Sequence, residues 1–139
     1  MTHIVITGVE LEADAILKAL KIKPSHVAKK GDPLYGPEST STRTYQHSLI
    51  QFNFDDVDLY DLPSQIACAT SFLEKNLVEL KSINGLFKID DISIQFACKL
   101  PESPSELLFQ ENRFPSNLLR MCGEANIDIC LSLYPRTES

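Results

Sequence analysis

The sequence predicts an α+β fold of ferredoxin-like flavour. We expect a two-layer sandwich in which a mostly antiparallel four-stranded sheet carries helices on one face, in the order βαβαβαβ. Two segments alternate apolar and polar residues, as strands with one wet face do. Other segments repeat apolar residues at helical spacing, and the two kinds follow one another along the chain. The 139 residues contain no linker or repeat, so residues 1–139 are expected to form a single domain.

The first half of the chain predicts a strand, a helix and a second strand. The segment "HIVIT" is short and β-branched. The segment "LEADAILKALKI" forms one apolar helical face from Ala13 onward, and Pro24 ends that helix. The connection 24–43 is rich in Pro and Gly, and its length is typical of a functional or mobile loop. A strand over 44–54 follows, whose apolar phase shifts near residues 49–50 and so predicts a bulge.

The second half predicts two helices and two strands. A helix begins near Ser64, which we expect to be its N-cap, and Asn84–Gly85 predicts the turn after it. The segment "DISIQFACKL" alternates as a half-buried strand. Pro115 suits the first turn of a short helix, and "NIDICLSLY" alternates as the last strand.

The net charge of −6 disfavours nucleic acid as a partner, because such binding needs clustered Lys and Arg. An acidic protein instead suits a basic protein partner, since complementary fields speed their encounter. No apolar run approaches the length that crosses a bilayer, and the first residues carry no basic leader. We therefore expect a cytoplasmic protein without membrane contact.

No residue pattern indicates catalysis, a metal or a cofactor. The four cysteines have neither the C-x-x-C spacing nor the nearby histidines of a zinc site, and we interpret them as small buried thiols in a reducing compartment. No metal-binding histidine spacing and no G-x-S-x-G motif is found. We expect no catalytic residues, no metal and no cofactor. An enzyme whose site assembles only in space, for example around His47 or His26, stays open as a further hypothesis.

A basic segment, "KIKPSHVAKKGDP", stands out in the acidic chain. As an anion or small-ligand site it would use His26, Lys29, Lys30, Gly31 and Asp32. Phosphate sites, however, usually lie at a helix N-terminus, and this loop follows a helix C-terminus. Lysines at a helix exit also complement the helix dipole without any ligand. The sequence leaves both interpretations open.

An acidic segment, "DDVDLYDLPS", precedes the predicted second helix. It lacks the residue pattern of a calcium loop. It is either an acidic lead into a helix N-terminus or a patch that meets the Lys and Arg side chains of a partner.

The two ends of the chain resemble a bacterial family known only as domain of unknown function 4279. The opening "TGVELEADAILKALKIKPSHVAKKGDP" carries that family's helix ending in L-x-I-x-P, followed by a K-G-D turn at Lys30–Asp32. The end, "LLRMCGEANIDICLSLY", is similar to its short helix, glycine and last strand. The resemblance covers residues 3–134 and implies a fold but no reaction. Relatives place a Trp in the second strand, where this chain has Tyr45.

These observations favour a non-catalytic protein-binding module. By analogy of class, we expect an immunity protein that neutralises a basic toxin domain, such as a nuclease, through its loops. The residues expected to contact that partner are Asp55, Asp56, Asp58, Asp61, Glu38 and Tyr45. The alternative is the anion-binding domain that uses the basic loop.

Overall fold

The chain forms a five-stranded mixed sheet with three helices, in a computed structural model that describes residues 2–35, 40–54, 61–99 and 112–134. In chain order the elements are β1 (His3–Gly8), α1 (Ala13–Leu20), β2 (His26–Ala28), β3 (Ser48–Asn53), α2 (Leu62–Ile83), β4 (Asp91–Lys99), α3 (Ser116–Glu124) and β5 (Asp128–Tyr134). None of the helices in the described ranges is long and apolar enough to cross a membrane.

The strands lie in the order β2-β3-β1-β4-β5. Strand β1 pairs antiparallel with β3 and with β4, and β2 pairs antiparallel with β3. Strand β5 instead pairs parallel with β4, because α3 carries the chain back to the end of the sheet where β4 began. The predicted α+β class and the mostly antiparallel sheet are confirmed. The predicted four strands and the order βαβαβαβ are wrong, since the observed order is βαββαβαβ.

The additional strand, β2, lies inside the predicted long connection. It has only three residues, too few to show alternation in the sequence. The predicted bulge near residues 49–50 is also wrong. Strand β3 pairs with β1 in an unbroken register from Ser48 to Asn53, and Thr44 belongs to an isolated bridge with Pro33 before the strand. The phase shift was apparent only because the predicted strand 44–54 combined a connecting segment with the strand Ser48–Asn53.

The core lies between the sheet and the helices. On the inner sheet face, Ile4 and Ile6 of β1 lie beside Phe52 and Ile50 of β3 on one side and Ile94 and Ile92 of β4 on the other. Each of these side chains is buried, and burial of an Ile or Phe side chain contributes about 2 kcal/mol. The helices supply Ile16, Leu73, Leu80 and Leu118 from above.

One buried polar side chain joins the two layers. Gln65 of α2 is completely buried, and its amide binds the backbone of Ala97 twice. Gln65 Nε2 donates to the Ala97 carbonyl at 2.9 Å, and the Ala97 N–H donates to Gln65 Oε1 at 2.9 Å. The register opposes His3, the first residue of β1, to Gln95, so Ala97 lies beyond the end of β1. The Gln65 amide therefore continues the ladder where the neighbouring strand has stopped.

Thr2, just before β1, carries a buried hydroxyl. The residue is 2% exposed, and its Oγ1 forms no hydrogen bond with any residue that the structure describes. A buried hydroxyl without a partner costs about 1 kcal/mol or more. We therefore expect Thr2→Val to raise the free energy of unfolding by about 1 kcal/mol in urea unfolding. Thr2→Ser, which keeps the hydroxyl and loses the methyl group, should lower it; equal stability of the two variants would contradict this account.

Candidate functional site

The basic loop folds back beside β3 through its own backbone. Gly31 N–H donates to the Tyr45 carbonyl and Tyr45 N–H donates to the Asp32 carbonyl, each at 2.9 Å. His26 of β2 contacts the same residue, with Nε2 3.2 Å from the Tyr45 hydroxyl. The structure thus brings together His26, Gly31 and Asp32 of the expected ligand set with Tyr45 of the expected partner set.

The backbone N–H groups of this loop are already occupied. Lys29 N–H donates to the Asp32 carboxylate at 2.8 Å, and Lys30 N–H donates to Ser48 Oγ at 3.0 Å. Asp32 N–H donates to the Lys29 carbonyl at 2.9 Å. The carboxylate of Asp32 therefore takes the place that an anion would occupy in a backbone cradle.

Lys29 and Lys30 lie beside a helix N-terminus after all. A recess of about 450 Å³ joins Lys29, Lys30 and Ser48 to the first turn of α1, because β2 reverses the chain after that helix. From the order along the chain alone, we expected this loop to lie at the C-terminus of α1, where phosphate sites are not usually found. Glu12 and Asp14 line the same recess, however, so its two lysines face two carboxylates.

The expected acidic contact surface is only partly within the described residues. Asp55, Asp56, Asp58 and Glu38 lie outside them. Asp61 caps α2: its carboxylate accepts from Ser64 N–H at 3.1 Å and from Ser64 Oγ at 2.6 Å. The prediction that Ser64 is the N-cap is therefore wrong, because the N-cap is Asp61, about one helical turn earlier. Asp61 also lies at the opposite end of the sheet from Tyr45, so these two members of the expected partner set do not meet.

A different acidic site forms where β4 and β5 begin. These parallel strands start side by side, and they place Asp90, Asp91 and Asp128 around a recess of about 310 Å³. We call this the acidic recess; its lining is completed by Asn84, Gly85, Ile89, Ile92 and Asn126.

The three carboxylates of the acidic recess are not equivalent. Asp90 is used within the fold, because its Oδ2 accepts from Val9 N–H at 2.9 Å. Partial burial, followed by the hydrogen bond to and the charge of Asp128, raises the pKa of Asp91 above its ordinary value. Within the described part of the chain, no Lys or Arg forms an ion pair with Asp91 or Asp128. Among the described residues, Asp91 and Asp128 therefore form a carboxyl pair that no Lys or Arg neutralises.

The backbone around the acidic recess adopts costly conformations. Phe87 and Lys88, which lead into Asp90, have φ values of 57° and 56°, and Asn126, two residues before Asp128, has φ 59°. A left-handed conformation costs roughly 1 kcal/mol for residues with a Cβ, although Asn tolerates it. Such conformations concentrate at functional sites, where the surrounding structure holds them.

The acidic recess and the Asp61 cap predict opposite pH dependences. Because the pKa of Asp91 is raised in the folded protein, its ionised carboxylate lowers the free energy of unfolding at neutral pH. This destabilisation disappears as the pH falls through the raised pKa and the carboxyl group becomes protonated. The Ser64 hydroxyl and then its N–H lower the pKa of Asp61, so its contribution is present above pH ~4 and is lost in acid. We expect Asp91→Asn to stabilise and Asp61→Ala to destabilise at pH 7. Both differences should shrink in urea unfolding near pH 3, and pH-independent differences would contradict this.

The remaining candidate groups do not assemble into a reactive site. His47 is exposed and lines neither recess. Within the described ranges, no three His, Cys, Asp or Glu side chains are placed to hold a metal ion. Cys98 and Cys122 are buried as expected, and burial raises the pKa of Cys122 to about 11. Cys68 is only half-buried and Cys130 is exposed, so the expectation that all four thiols are buried is wrong for these two residues.

No protein-family model, curated protein or solved structure matches this chain.

Proposed function

We propose that this protein is a non-catalytic binding module that neutralises a basic toxin domain, in the manner of an immunity protein. The observation that supports it most is the Asp91–Asp128 carboxyl pair. A carboxyl group such as Asp91, whose ionisation is hindered by partial burial and by a neighbouring carboxyl group, gains most from an approaching cation. A Lys or Arg side chain of a partner would fit this role in a recess of about 310 Å³.

The position of the pair also favours a protein partner. Asp91 and Asp128 lie at one end of the sheet, next to connecting segments, where recognition residues commonly stand on a rigid scaffold. The net charge of −6 would attract a basic partner over a longer range. Membership of the family known as domain of unknown function 4279 is also part of this proposal, but that family has no assigned reaction that would suggest an activity.

The test compares three forms of the protein as bait in lysate of the native host. These are the wild type, Asp91→Asn/Asp128→Asn, and Glu74→Gln/Glu79→Gln. The last pair removes the same charge from α2, and neither of its residues lines the acidic recess. We expect the wild type and the α2 control to retain one basic protein, and the recess variant to bind it at least tenfold more weakly.

The captured protein then provides the functional test. Its expression alone should arrest growth, and co-expression of the wild-type chain should restore it. Equal capture by all three forms, or capture of no basic protein, would refute the proposed function.

The anion-binding alternative has one observation in its favour. Lys29 and Lys30 line a recess together with the first turn of α1. Glu12 and Asp14 in the same recess weaken it, because they repel an anion. A thermal-shift measurement with inorganic phosphate decides between the anion-binding domain and the protein-binding module. If the loop binds phosphate, phosphate at 100 times its dissociation constant would add about 2.7 kcal/mol of stability. We expect no shift.

A further inference from the structure

Strand β5 ends the sheet, and among the described residues its outer edge is free of any further strand and largely apolar. It runs for seven residues, carries one charged side chain, Asp128, and contains neither Pro nor Lys. Two side chains near its end are well exposed, Leu133 at 54% and Tyr134 at 46%. Edge strands in monomeric proteins are usually short, bulged or charged, because an open edge binds other strands. Strand β5 is neither short nor bulged along its pairing with β4, and its single charge, Asp128, lies at its first residue.

The direction of the backbone groups at this edge follows from the neighbouring strand. Ala97 directs its N–H and C=O toward the β1 side, where Gln65 binds them. Because the direction alternates along a strand, Phe96 directs its groups toward β5. Phe96 stands opposite Leu131 and therefore bonds to the residues on either side of it. Leu131, and by the same alternation Ile129 and Leu133, direct their N–H and C=O groups out to the free edge.

The helix above β5 extends the apolar strip. Glu124 of α3 lies toward α2, where its carboxylate is 4.0 Å from Lys81 Nζ. Leu119 lies about 140° around the helix from Glu124, so we infer that it faces away from α2, toward the outer edge of β5. It is 49% exposed. Leu119 and Leu133 thus expose apolar surface on the same side of the molecule, one in each layer.

We propose that this edge pairs with the same edge of a second copy of the chain, in antiparallel orientation, to form a ten-stranded sheet across a twofold axis. Placing Leu131 opposite Leu131 of the other copy sets Ile129 opposite Leu133. This register uses the outward N–H and C=O groups of all three residues. It also places Asp128 opposite Tyr134, so no like charges face each other across the axis. The strand is therefore complementary to itself.

The size of the contact predicts a weak dimer. A strand of seven residues is about 23 Å long, and the sheet and helix layers together are roughly 20 Å deep. The contact then covers about 500 Å² of each copy, near the lower limit for specific association. The net charge of −6 on each copy also opposes pairing at low salt. We expect a dimer with a micromolar dissociation constant that becomes tighter as salt is added.

Sedimentation velocity over a range of concentrations tests the association. Leu133→Lys places a charge in the apolar strip and should weaken the dimer at least tenfold. Val78→Lys is the matched control, because Val78 is also apolar and exposed, at 77%, but lies on α2; it should dimerise like the wild type. A wild type that stays monomeric at every concentration, or equal dimerisation of the two variants, would overturn the proposal.

A crosslinking experiment tests the register. Cys130 stands opposite Ser132 of the other copy, in a pair without direct hydrogen bonds whose Cα atoms lie about 4.5 Å apart, within the span of a disulfide. Ser132→Cys should therefore give covalent dimers on mild oxidation. The wild type and Cys130→Ser/Ser132→Cys should not. Covalent dimers of the wild type through Cys130 would place the axis elsewhere and refute this register.

Discussion

Replacing Gln65 by leucine should lower the free energy of unfolding by about 3 kcal/mol. The substitution keeps the volume of the side chain nearly unchanged but removes both hydrogen bonds to Ala97. The N–H and C=O of Ala97 would then be buried without partners, and each such group costs about 1–3 kcal/mol. Urea unfolding followed by circular dichroism measures the loss.

Gln51→Leu is the matched control for this variant. Gln51 lies on the outer face of the sheet, and its amide donates to Asn53 Oδ1 in an exposed hydrogen bond. This control should change stability by less than about 0.5 kcal/mol. If Gln65→Leu is equally mild, the Gln65 amide does not hold the end of β4.

Gly8→Ala should be the second severe variant, at about 2–3 kcal/mol. A Cβ at this position would lie 2.5 Å from the backbone carbonyl oxygen of Lys88. The clash involves backbone on both sides, so no side-chain rotation relieves it. Lys88 already has a left-handed conformation and leads into Asp90. The substitution should therefore also disturb the acidic recess, with altered NMR shifts at Asp91.

The control for Gly8→Ala is Gly123→Ala. A Cβ at Gly123, inside α3, would meet nothing within 4 Å. Alanine is the better helix former by about 0.5–1 kcal/mol, so this variant should be more stable than the wild type. A Gly8→Ala protein as stable as the wild type would show that the segment at Lys88 moves freely.

The fold class could be predicted from the sequence because periodicity reports which face of an element is buried. The inward residues of β4, Ile92, Ile94 and Phe96, are buried as the alternation predicted, but Ser93 and Ala97 of the other face are buried too, so the prediction of a half-buried strand is wrong. Periodicity does not report the direction of a neighbouring strand. Strand β5 alternates because it lies at the edge of the sheet, although it pairs parallel with β4.

The acidic recess was missed for the same reason. Asp91 and Asp128 are far apart in the chain, and neither belongs to a dense acidic run. Their segments, "KIDDIS" and "NIDIC", both begin strands, and α3 lies between those strands along the chain. Parallel strands joined by a helix start at the same end of a sheet. Interpreting β4, α3 and β5 as such a unit would have placed the two carboxylates together.

The basic loop shows a different limit of sequence reasoning. Its lysines were correctly placed after α1, but the short reversal through β2 brings them to the first turn of that same helix. A three-residue strand leaves no periodic signal. The contacts of Tyr45 with His26, Gly31 and Asp32 depend on that reversal as well.

The most direct test of the proposed function is the pKa of Asp91, followed by the NMR shift of its carboxyl carbon in a pH titration. The titration is made with the free protein and again with saturating tetralysine as a cationic probe. Because a bound cation favours the ionised carboxyl pair, the pKa of Asp91 should fall toward its ordinary value when the probe is present. A pKa that stays raised at saturating probe would contradict a cation-binding role for the Asp91–Asp128 pair.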